Sequence, residues 1–76
     1  NIDQESRLLW IECLDHNAVE RVGVLFNSCH INILERTVTR NEGYHLKLNY
    51  KAPEMANHVI LKHLYHRDDI GEVISQ

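Results

Sequence analysis

Seventy-six residues make one small domain, and a chain of this length buries only about 60% of the surface its unfolded form exposes, close to the minimum for independent folding. A hydrophobic share of 43% and a charged share of 25% argue against a disordered tail, and no apolar run approaches the roughly 18–20 residues that span a bilayer. Eight Lys and Arg against eleven Asp and Glu, with no basic run, argue against a nucleic-acid footprint, which needs clustered positive charge to displace counterions.

Residues 1–6, NIDQES, are polar and read as a linker stub ahead of a single domain at residues 7–76. A chain that opens at Asn1 without methionine is expected to be a piece of a longer protein. Arg7 to Leu14, RLLWIECL, is rich in strand formers. Alternation sends Leu9, Ile11 and Cys13 to one side and Leu8, Trp10 and Leu14 to the other, so both faces are apolar and the strand belongs in the middle of a sheet.

Asn17-Ala18-Val19-Glu20 reads as a variant capping box, Asn17 accepting from the first turn and Glu20 reaching back. Ala18, Val22, Leu25, Phe26 and Cys29 then recur at helical spacing up to a helix end near His30. Gly23 sits inside this helix, off the stripe. Ile31 to Arg40, INILERTVTR, alternates and is rich in β-branched residues, the pattern of a strand. Asn41-Glu42-Gly43 is a hairpin signal, and Tyr44 to Tyr50 follows with Tyr44, Leu46, Leu48 and Tyr50 on one face and His45, Lys47 and Asn49 on the other.

Pro53 suits the first position of a second helix, where its missing N–H is harmless. Ala56, Val59, Ile60, His63 and Leu64 are its expected inward stripe. Asp68-Asp69 interrupts the pattern, and Ile70 to Ser75 closes the chain as a short strand. The order β-α-β-β-α-β with right-handed crossovers predicts an α+β, ferredoxin-like sandwich: a four-stranded antiparallel sheet in the order 4-1-3-2 with two helices on one face.

Asp15 at the end of the first strand, Val22 and Leu25 in the helix, the Ile31-Asn32-Ile33 step and the closing DDIGEVIS together resemble the ACT-type regulatory domain, over Arg7 to Ser75. The resemblance implies a non-catalytic regulatory or interaction module of a larger protein, without a cofactor. It acts by self-association or small-ligand sensing, with Asp15, His16, Asn17 and Asn32 at the ligand site. In the family the acid is usually followed by Pro-Gly; His16-Asn17-Ala18 stands here, and the side chains narrow the backbone's range. The chain also resembles the C-terminal cytoplasmic domain of the MgtC/SapB family of membrane proteins, linked to magnesium and virulence. That likeness implies a cytoplasmic domain beside the plasma membrane, in contact with the rest of its parent or with a second copy.

The loop Asp15-His16-Asn17 offers a carboxylate, an imidazole and an amide at a helix N-terminus, an arrangement that holds an anionic group or simply caps the helix. Six histidines support an alternative reading, a histidine-based divalent metal-handling domain, although no Cys or carboxylate completes a zinc spacing and Asp68 and Asp69 would add only hard oxygen ligands. His63 is expected to be a core histidine. Cys13 and Cys29 are expected to be buried free thiols, and Cys29 and His30, adjacent on a helix, diverge by about 100° and make no nucleophile–base pair. Leu8, Trp10 and Leu14 are expected on the sheet's open face as an interface that needs a cover. Pairing of an edge strand with its copy is the other route to a homodimer.

Overall fold

The computed structural model describes residues 5–76. Its elements run β1 (Glu5–Cys13), α1 (His16–Ser28), β2 (Ile33–Arg40), β3 (Tyr44–Ala52), α2 (Glu54–Tyr65) and β4 (Ile70–Ser75). The strands form one antiparallel sheet in the order β2-β3-β1-β4, which read from the β4 edge is 4-1-3-2. Glu5 and Ser6, expected in the stub, already pair with Lys51 and Ala52 as part of β1; residues 1–4 of the stub lie outside the described residues.

Among the described residues the sheet buries one face. Leu9, Ile11 and Cys13 from β1 and Leu46, Leu48, Tyr50 and Ala52 from β3 meet Ala18, Val19, Val22 and Phe26 of α1 and Ile60 and Leu64 of α2 in a single core. These positions alternate along each strand, so the period of two carries the burial directly. At about 1.5–3 kcal/mol for each large side chain removed from water, this layer is the main source of stability. By contrast, β2 is exposed from Leu34 to Arg40. It lies at the sheet edge, with a bulge between Ile33 and Glu35.

Two local details differ from the sequence expectation. The first helix is capped by Asp15, not Asn17: its carboxylate accepts from the Ala18 N–H at 2.9 Å, two residues beyond the start of the helix at His16. Glu20 does not reach back, and lies 3.9 Å from His16 instead. β1 ends at Cys13 and Leu14 donates to the Asp69 carbonyl at 2.9 Å, so the chain turns two residues earlier than a cap at Asn17 would need. At the other end of α1, Ile31 N–H donates back to the Phe26 carbonyl at 3.0 Å and His30 takes φ 58°, the left-handed position that glycine usually fills. Gly23 has open space where a side chain would stand.

The second detail is the rotation of α2. Asn57, Ile60 and Leu64 face inward, while Val59 and His63, expected there, are exposed. The reason is a buried polar pair. Tyr50 is fully buried in T-shaped contact with Phe26, and its hydroxyl donates to the Asn57 side-chain oxygen. A buried phenol needs that acceptor, so the helix turns Asn57, only 8% exposed, toward the sheet and carries His63 out into solvent. Replacing Tyr50→Phe removes the partner of a buried amide; the expected loss is about 1–2 kcal/mol, or roughly 5–10 °C in Tm, readable by thermal denaturation, and Tyr50→Phe with Asn57→Leu should recover part of it.

Candidate functional site

The loops gather at two ends of the sheet. The upper end holds the β1–α1 turn, the hairpin at residues 41–43 and the α2–β4 turn; the lower end holds the start of β2 and of α2. Three of the expected ligand residues, Asp15, His16 and Asn17, sit together at the upper end and are exposed. Asn32 does not join them. It precedes Ile33, which pairs with Tyr50 at the lower end, about 20 Å along the strands from Asp15, so a single chain cannot close one site from all four.

At the upper end the Asp15 carboxylate is engaged in capping α1, and His16 packs edge-on against Tyr44 with ring centroids 5.8 Å apart. Beside them a cavity of about 180 Å³ is lined by residues including Glu12, Cys13, Gly43 and Asp69. Burial, with the nearby charges of Asp69 and Asp15, pushes the Cys13 thiol up to about 11, which keeps it protonated and unreactive at neutral pH. Gly43 turns the hairpin at φ 111°, a backbone conformation that side-chain-bearing residues rarely adopt.

Asp69 is the electrostatic centre of this end. Its carboxylate accepts from Arg67 Nε at 3.0 Å and Nη2 at 3.1 Å, and from Arg21 Nη1 at 2.9 Å, while its carbonyl accepts from Leu14. One residue therefore ties α1, the end of β1 and the α2–β4 turn together. The Arg67 hydrogen bond foremost, aided by that from Arg21, holds the Asp69 carboxyl down at about 2. Nothing in the sequence pattern pairs residues 21 and 69.

The lower end carries a cavity of about 390 Å³ lined by Cys29, His30, Asn32, Lys51 and Pro53 among others. It places Asn32 beside a half-buried thiol rather than beside the Asp15 loop. Both cysteines are free. His45 Nε2 donates to the Asn41 carbonyl at 3.0 Å and His66 Nδ1 to that of Lys62 at 2.8 Å; His63 and His66 line one recess, but among the described residues no group of three His, Cys, Asp or Glu is placed to hold a metal ion. No helix among the described residues is long and apolar enough to cross a membrane.

The open face of the sheet keeps Leu8 and Trp10, as alternation predicts. Trp10 is 40% exposed and lies between Lys47, whose ammonium is 5.5 Å from its ring centre, and Ile74, 45% exposed. Leu14 falls past the end of β1, in the turn, and is 71% exposed; it is too far along the chain to complete the patch, and Ile74 takes that place.

No protein-family model matches the chain, and no curated protein matches it in sequence. Among solved structures it is similar to the solution NMR structure of the ACT domain from the GTP pyrophosphokinase of Chlorobium tepidum, with a TM-score of 0.76 and 12% identity, over 99% of this chain and 89% of that one. At that identity the likeness is one of fold. The chain has the ferredoxin-like fold of an ACT domain over nearly its whole length.

Because the Asp69 carboxyl titrates lower in the folded chain than the ordinary value near 3.9, its contribution is fully present above about pH 4 and is lost as the pH falls toward about 2. Asp69→Asn should lower stability at pH 7 by about 1 kcal/mol and flatten the decline of Tm between about pH 4 and pH 2; melting curves of both proteins across that range check this.

Proposed function

We propose that this chain is a non-catalytic regulatory module, an ACT-like domain that serves a larger protein by changing its own association or by sensing a small ligand. The observation that carries the reading is the match of fold to an ACT domain over 99% of the chain. The geometry adds support on two counts. The nearest nucleophile to the upper-end cavity is a thiol held protonated by burial. The Asp15 carboxylate is spent on capping, and His16-Asn17 replaces the flexible pair that the resemblance leads one to expect, which leaves self-association the stronger of the two routes.

Coupling would then run through the core. A change at the upper loop or across an interface shifts β1, and β1 packs under α1 and pairs with β4, against which α2 lies, so the parent protein experiences a change in how two modules meet. In its finer form the proposal places the module in the cytoplasm on a magnesium-linked membrane protein of the MgtC/SapB type, supported by the resemblance in size and residue pattern; apolar spans in the parent chain would accompany it.

Sedimentation and thermal melting, each with and without the amino acids, Mg²⁺ and Zn²⁺, test the regulatory reading. Concentration-dependent association, or a rise in Tm of several degrees with one of these small molecules at saturation, is the expected result. A chain that stays monomeric at every concentration and melts at the same temperature in all of them contradicts it.

A further inference from the structure

The open face has a polarity along its strands that a second copy of the same face would match. Register fixes the rows. Ser6 stands opposite Lys51, Leu8 opposite Asn49, Trp10 opposite Lys47, and Glu12 opposite His45. On the flanks, Ile74 joins the Trp10 row and Thr37 the Lys47 row. The upper end of the face is acidic: the Glu12 carboxylate lies over Gly71 and accepts from the Glu72 N–H at 3.2 Å. The cations Lys47 and Lys51 belong to the middle and the lower end of β3, with Glu35 beside Asn49 on the edge strand β2. Leu8 and Trp10 are the apolar centre.

We infer that this face is the interface of a homodimer in which two sheets stack with their strands antiparallel, Trp10 of each copy against Leu8 of the other and Glu12 of each beside Lys51 of the other. The axis that produces this runs in the plane of the sheet, perpendicular to the strands, between Leu8 and Trp10. Such a two-fold superposes the acidic end of one copy on the basic end of its partner, whereas a stack with parallel strands leaves both acidic ends together. It also sets Trp10 of each copy against Leu8 of the other, so the apolar centres of the two faces cover one another.

Size supports a weak, reversible dimer. Four strands about 4.8 Å apart and six residues long present on the order of 400 Å² in projection, which places the pair toward the small end of specific interfaces. A micromolar dissociation constant is expected, the range in which association can be regulated. A single-stranded nucleic acid is disfavoured as the occupant, because Glu12, Glu35 and Glu72 outnumber Lys47 and Lys51 on this face. The inference deepens the self-association route of the proposed function and rests on it.

The decisive experiment exploits distance. Glu12 and Lys51 lie at opposite ends of the β1–β3 pair, about 20 Å apart within one chain, so they can meet only between chains. Glu12→Lys and Lys51→Glu, each examined alone by sedimentation over a range up to about 1 mM, should associate at least tenfold more weakly than the unaltered chain. Mixed in equal amounts, they should form a heterodimer of near-original affinity, because both cross-chain pairs are then restored. Trp10→Glu should abolish association while circular dichroism shows the fold retained.

Failure to recover association on mixing overturns the antiparallel stack. Association that survives Trp10→Glu assigns the interface to the strand edges and overturns the inference altogether. A monomer at all concentrations also overturns it, yet leaves the regulatory reading standing if a small ligand shifts Tm. Binding of a fluorescent oligonucleotide that Trp10→Glu removes would assign the face to nucleic acid instead.

Discussion

The contact on which everything else depends is the seating of α1 and α2 on one face of the β1–β3 pair. Leu9, Ile11, Leu46, Leu48 and Tyr50 are sealed beneath Val22, Phe26, Ile60 and Leu64. With only two helices available, a sheet of four strands can be covered on one side alone. The same constraint that creates the core therefore leaves Leu8, Trp10 and Ile74 on the uncovered side and β2 exposed at the edge. Surface for interaction is a by-product of the architecture rather than an addition to it.

Two polar devices fix how the layers sit. Tyr50 and Asn57 form a buried pair that sets the rotation of α2, and Asp69 clamps Arg21, Arg67 and the Leu14 backbone at the upper end. Burial of a lone hydroxyl or amide would cost more than the net worth of the bond itself, so such pairs specify geometry even where they add little stability. The first joins β3 to α2, and the second joins α1, the turn after β1 and the α2–β4 turn, so each end of the sheet is tied to a helix.

The order of elements was legible from the chain because period-two segments such as Tyr44–Tyr50 leave no other solution, and the inward set of β1 and β3 followed from alternation. Local polar choices were harder. Asp15 and Asn17 are equally good capping residues by type, and the choice between them was made by a tertiary bond from Leu14 to Asp69. Asn57 carried no hydrophobic signal, so the turn of α2 that exposes His63 was hidden until Tyr50 was placed opposite it. Asn32 looked like a companion of the Asp15 loop by resemblance, but the length of the strands puts it at the far end of the sheet. Leu14 shared the parity of Trp10 without sharing its strand. In each case the missing information was a contact between residues distant in sequence, which no local pattern encodes.

The chain's single tryptophan reports directly on whether the sheet has one buried face and one open one. Its fluorescence, followed on dilution with a soluble quencher present, should show a water-exposed indole at the lowest concentrations and a progressively protected, blue-shifted one as the chain is concentrated. An indole that is blue-shifted and shielded from quencher at every dilution would place Trp10 inside the monomer's core, and the assignment of the two sheet faces would be wrong.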